Sequence, residues 1–110
     1  MKTKYRGNFK KAYIFAAIYL LFDLLAVMNR HPQISEFEQY VIDFVIDLRK
    51  TKDLTQKDMG NILKLSREFV RDVENPKSPA KYNMDHVNAF ADYFGMSPRE
   101  FFPQKPFPVD

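Results

Sequence analysis

The side chains able to do covalent or metal chemistry are few in this 110-residue chain. Cysteine is absent, which removes thiolate nucleophiles, thiolate metal ligands and disulfides. The two histidines, His31 and His86, have no acidic or histidine partner at ligand spacing, and a dedicated zinc site needs more ligands than that. Asp43 and Asp47 stand four apart on one helix face, which a solvated polar stripe explains without acid–base work. No Ser/His/Asp set can be nominated, no Walker or dinucleotide fingerprint occurs, and three glycines are too few for phosphate-cradling loops. The expectation is a protein without catalytic residues, cofactor or metal. What remains is non-covalent chemistry, and it concentrates in the polar and charged residues between Leu54 and Lys81.

The elements that hold those residues read as short helices. Ser35 is placed as an N-cap with Glu38 three residues on, a capping box opening a helix from Glu36 to Lys50. In that helix Glu36, Gln39, Asp43, Asp47 and Lys50 form a single polar stripe, and nearly everything else is apolar. A helix with one narrow polar stripe is expected to be packed between two partners. Thr55 caps a second helix, Gln56 to about Leu63, with Asp58 in the capping-box position. Lys64-Leu65 connects it to a third, capped by Ser66 and running to about Glu74, where Asn75-Pro76-Lys77-Ser78-Pro79 stops it. Residues 83–94 repeat the apolar period through Met84, Val87, Phe90, Ala91 and Phe94. Gly95 is placed as the left-handed residue beyond that helix, and Ser97-Pro98 opens a last turn.

Hydrophobic residues make up 45% of the chain and aromatics 15%, enough for one packed core. Three zones follow: a basic arm and hydrophobic helix over 1–32, the helical domain over 33–102, and a proline-rich tail over 103–110. The net charge of +3 is unevenly placed. Lys2, Lys4, Arg6, Lys10 and Lys11 fall in the arm with no acid, so the helical domain is nearly neutral. Ala12 to Met28 is apolar almost all round, interrupted only by Asp23. A transmembrane span and a signal peptide both compete for this segment, but seventeen residues with a carboxylate inside are short for the first. No small-residue cleavage site suits the second. A buried helix is the preferred reading, as a dimer interface, an intramolecular cap or a landing site for another protein. A short membrane anchor is the disfavoured one.

Residues 54–75 carry the functional signal. Two short helices meet across a three- to four-residue turn, with Met59, Ile62, Leu65, Val70 and Val73 placed to pin them together. Gly60 removes a side chain where the first helix crosses closely over the second. This layout presents the second helix outward, and a helix fits the major groove of DNA.

In this region the sequence resembles the Cro- and lambda-repressor-like helix-turn-helix proteins, the XRE family, over about residues 45–102. The resemblance rests on Leu48-Arg49-Lys50, Leu54-Thr55-Gln56, Leu65-Ser66, Val73-Glu74-Asn75, and Phe94-Gly95-Met96-Ser97-Pro98 ahead of Glu100-Phe101-Phe102, in that order and spacing. It implies an all-α bundle of four to five helices, to which the hydrophobic N-terminal helix is an addition. It also implies a cytoplasmic, homodimeric regulator of transcription that binds double-stranded DNA.

By the same resemblance Gln56 approaches a backbone phosphate and braces the recognition helix, about 66–74. Arg67 and Glu68 meet base edges, and Phe69, Arg71 and Asp72 face or flank the groove. Ser66, Asn75 and Lys77 lie at backbone-contacting ends of the unit. The chemistry is compatible: arginine reads guanine, glutamate accepts from a cytosine amine, and phenylalanine touches a thymine methyl. Lys57, Lys64, Lys77 and Lys81 are placed to meet phosphates. The chain departs from the family at Lys64, where a glycine is usual, and at Phe69, where a small residue is usual. Glu68 and Asp72 set two carboxylates on the reading helix. They motivate a second reading, a non-catalytic interaction module, antitoxin-like or co-regulatory, that keeps the fold and binds a protein partner.

Overall fold

A capping side chain opens each helix. The chain divides into two units, Met1–Arg30 and His31–Asp110, and the computed structural model describes residues 30–109. The expectations for the basic arm, the Ala12–Met28 segment and Asp23 fall outside the described residues. Helix α1 is Glu36–Thr51, α2 is Gln56–Leu63, α3 is Arg67–Glu74 and α4 is Met84–Phe94, followed by a 3₁₀ turn over Pro98–Phe101. Among the described residues there is no strand, so the fold described is all-helical. None of these helices is long and apolar enough to cross a membrane.

Each start is chemically satisfied. The Ser35 hydroxyl accepts from the Glu38 backbone N–H (3.0 Å) while Glu38 accepts from the Ser35 N–H (2.9 Å). Thr55 and Asp58 repeat the exchange at 3.0 and 2.8 Å. Ser66 caps α3 by accepting from the Phe69 N–H at 3.2 Å. Such caps contribute about 1 kcal/mol each by pairing donors a helix start leaves open. The third box is less usual. Asn83 caps α4, and the acceptor reaching back to its N–H is the Nδ1 of His86, at 3.0 Å. Gly95 ends α4 at φ 64°, the left-handed conformation that glycine adopts without steric cost.

The core is assembled from one face of every helix. Val41, Ile42 and Val45 of α1, Met59 of α2, Val70 and Val73 of α3, and Val87, Phe90 and Ala91 of α4 are buried with Ile34, Tyr82 and Phe101. Phe44 packs at 4.9 Å against Phe101, and Phe37 stacks at 5.7 Å on Phe102, so the 3₁₀ turn closes the bundle over α1. Tyr82 meets Phe90 edge-on at 5.2 Å. Its hydroxyl is buried with no hydrogen-bond partner among the described residues. Burial pushes the Tyr82 phenol up, and the neighbouring Glu74 charge pushes it further against the opposing pull of Arg49. On α1 the polar stripe is half-buried at Asp43 and Asp47, and Gln39 donates to Asp43 at 2.9 Å.

One expected pin fails. Leu65 is 41% exposed, unlike Met59, Val70 and Val73. The reason is its place in the connection. Its N–H donates to the Gly60 carbonyl (2.9 Å), and its own carbonyl lies against Gly60, so the backbone faces the helix and the side chain is left toward solvent. Half-buried Ile62 keeps its expected place in the packing, and Phe69 joins it.

Candidate nucleic-acid interface

Helix α3 has a sharp division between its faces. At about 100° per residue, Val70 and Val73 define an inward side flanked by Phe69 and Glu74, and all four are buried or half-buried. Arg67, Glu68, Arg71, Asp72 and the following Asn75 occupy the remaining arc, and all but half-buried Asp72 are exposed. Helix α2 packs across α3 through the Gly60 approach and Met59. Lys57 and Lys64 are exposed on the α2 side, and Lys77 is exposed beyond the end of α3.

The inward edge of α3 is fixed by a polar clamp. Arg49 of α1 donates twice to Glu74, from Nε at 2.9 Å and from a terminal nitrogen at 2.8 Å. Its other terminal nitrogen donates to the Leu54 carbonyl at 3.1 Å. Gln56 at the start of α2 donates its amide to the same Glu74 carboxylate at 3.1 Å. One carboxylate thus ties three helices to a common point, in the paired-fork geometry that suits arginine.

The sequence analysis has Arg49 and Glu74 only as parts of the resemblance and does not pair them with each other. The structure sets Arg71 against Asp72, at a loose 3.5 Å. A signal did exist. A glutamate in the last turn of a helix opposes the macrodipole, and such a residue generally has a specific partner.

The other expected contact residues separate into two groups. Arg67, Glu68, Arg71, Asp72, Asn75, Lys57, Lys64 and Lys77 lie together on the outward side of the α2–α3 unit and its flanks. Asn75 accepts from the Lys77 N–H at 3.0 Å, which orders the chain leaving α3. Phe69 belongs elsewhere, since its ring meets His86 at 5.2 Å and Tyr82 at 6.1 Å, turned from the outward arc by that packing. Lys81, expected at a phosphate, lies in an exposed ion pair with Glu38 of α1 at 2.6 Å. Gln56 donates one amide N–H to Glu74, which fits the bracing half of its expected role. Ser66 has its hydroxyl oxygen committed to the cap.

Beside α2 a groove is lined by Leu54, Asp58, Asn61, Ile62 and Tyr93. Its one carboxylate, Asp58, is held by the Thr55 cap, whose backbone hydrogen bond keeps it below the usual aspartate range.

His86 links this region to pH. Burial pushes its imidazole below the ordinary 6.5, against the weaker opposing pull of Asp85. The Asn83 N–H needs the Nδ1 lone pair, which protonation removes. A histidine whose folded pKa is depressed stabilises the fold fully above its unfolded value and loses that contribution as pH falls through the folded value. The thermal midpoint is therefore expected to drop between about pH 7 and pH 5, ahead of the carboxylate region. His86→Gln, which keeps a capping acceptor, should flatten that segment in a series of melting curves. An unchanged slope in the variant would assign the effect elsewhere.

No family model, no curated protein and no solved structure matches the chain.

Proposed function

We propose that the protein is a sequence-specific double-stranded DNA-binding regulator of the helix-turn-helix class, similar to Cro and lambda-repressor-like proteins, with α3 as the helix that enters the major groove. The observation that carries this reading is the outward arc of α3, polar throughout while the inward side is buried. Exposed Lys57, Lys64 and Lys77 flank that arc, where phosphates of a groove-bound duplex would pass. Its one inward carboxylate, Glu74, is taken by Arg49 and does not face the duplex. The regulator acts in the cytoplasm, where its DNA target lies.

Selection from a random-core duplex pool with the full chain, read by mobility shift at stated salt, tests the proposal. Enrichment of a defined sequence is expected. Affinity for selected duplex no better than for the starting pool sinks the sequence-specific reading. Given a site, Arg67→Ala is expected to relax preference at one position by about 1–3 kcal/mol. Lys77→Ala should weaken all sequences alike and reduce the salt slope by about one.

Reading a two-fold site requires a two-fold protein, so the working form is a homodimer. A full chain that light scattering finds monomeric at tens of micromolar removes this assignment. The second reading, a non-catalytic module for a protein partner, is favoured by one observation. Glu68 and Asp72 bring the net charge of the outward α3 arc to zero, a weak footprint for a polyanion.

A further inference from the structure

We propose that Glu68 and Asp72 are specificity-determining residues. Together with Arg67 and Arg71 they orient α3 on G·C pairs with guanine on one side of the helix and cytosine on the other. The inference rests on the reading of α3 as a major-groove helix.

The arrangement of the outward arc carries it. At about 100° per residue, Arg67 and Arg71 fall on the edge next to Glu74, while Glu68 and Asp72 fall on the edge next to Phe69. Asn75 lies between them. The inward positions Phe69, Val70, Val73 and Glu74 are fixed by packing and by the Arg49 clamp, so α3 cannot roll to exchange its edges. The two signs of charge are therefore sorted by side, not interspersed.

A helix lying in the major groove turns one edge toward each strand. A G·C pair presents the acceptors O6 and N7 on its guanine half and the N4 amine donor on its cytosine half. An arginine edge matches the first and a carboxylate edge matches the second. The reversed pair, C·G, sets guanine acceptors against carboxylates and the cytosine amine against guanidinium groups, so both halves are repulsive. The carboxylates also face phosphates whenever the floor of the groove offers them no amine. This makes random duplex a poor ligand, because non-specific binding is electrostatic. Repulsion against wrong partners is an established route to specificity.

The helix itself gives Glu68 a separate use, since an acid in the first turn suits the macrodipole. Asp72, in the second half of α3, has no such explanation, and its contact with Arg71 is long and exposed. Alanine at both positions keeps helix propensity high, so E68A/D72A should fold, and a melting curve checks that it does.

The experiment compares the full-length wild type with E68A/D72A in duplex selection at about 100 mM salt, followed by titration of the selected site, its pair-reversed versions and random duplex. The wild type is expected to enrich G·C pairs of fixed orientation. Reversing one such pair should weaken binding about tenfold or more. In E68A/D72A the reversal penalty should shrink severalfold, and random-duplex affinity should rise on the order of tenfold, as two repulsive charges leave the interface.

Three results overturn the inference. If the wild type selects a site and the variant shows the same orientation preference and the same random-duplex affinity, the carboxylates do not read bases, yet the DNA-binding proposal stands. If only the variant binds duplex, the carboxylates block DNA outright and the protein-module reading takes over. If neither binds any duplex, the DNA reading fails and this inference fails with it.

Discussion

Glu74→Ala is expected to lower the stability of the helical unit by about 3–5 kcal/mol, as breaking a desolvated ion pair from one side does. The side chains of Glu74 and Arg49 are only 9% and 15% exposed, so this pair does not belong with surface salt bridges worth little. Removing the carboxylate leaves the Arg49 guanidinium without two of its acceptors and the Gln56 amide without its partner. For a unit of about 80 residues that loss corresponds to a fall of roughly 18–30 °C in thermal midpoint. Arg49→Lys should recover little of an Arg49→Ala defect, because a single ammonium cannot supply the paired donors and the separate bond to the Leu54 carbonyl. The double variant R49M/E74L is expected to be far more stable than either single alanine, since it removes both charges and fills the space. Circular-dichroism melts of the four proteins decide the matter. A loss below about 1 kcal/mol for Glu74→Ala would return the pair to the surface class.

The second large effect is expected at Gly60, and it comes from space, not charge. A Cβ at this position lies 2.9 Å from the Leu65 carbonyl oxygen and 3.0 Å from that of Ser66, both backbone atoms. Neither can move without displacing the connection that sets α3. Gly60→Ala gains about 1 kcal/mol of helix propensity but must push the turn away. A net loss of about 2 kcal/mol is expected, as for overpacked sites. Gly60→Val should be worse, with a β-branched side chain in the same gap. Lys64, four residues on, gives the opposite sign. It sits at φ 58°, the left-handed region, where a side chain costs about 1 kcal/mol. Lys64→Gly should therefore raise the thermal midpoint by several degrees while removing one outward cation. Measuring the two variants side by side separates crowding from backbone strain. If Gly60→Ala were neutral, the close approach would have to relax freely.

The same two residues show how the connection takes a left-handed turn without a glycine in it. Lys64 sits in that connection at φ 58°, a conformation lysine itself does not favour. The turn adopts that conformation because α2 and α3 must cross at Gly60 to bury Met59, Val70 and Val73. That packing overrides the preference of one lysine.

What the sequence by itself determined is therefore local. Ser35 with Glu38, Thr55 with Asp58, Ser66, Gly95 and Ser97-Pro98 each act through hydrogen bonds or dihedral preferences spanning four residues or fewer. The helix limits they imply agree with the structure to within a residue or so. The outward placement of Arg67, Glu68, Arg71 and Asp72 was an implication of the resemblance, and it agrees with the burial of Val70 and Val73 on the opposite face.

What only the tertiary structure decided is which distant groups meet. Arg49 finds Glu74 across 25 positions, and Lys81 finds Glu38 across the bundle. Phe69 turns toward Tyr82 and His86, and Leu65 is left in solvent. Each of these depends on the angle at which one helix packs on another. That angle is set by the summed burial of many side chains, a quantity no short window of sequence contains.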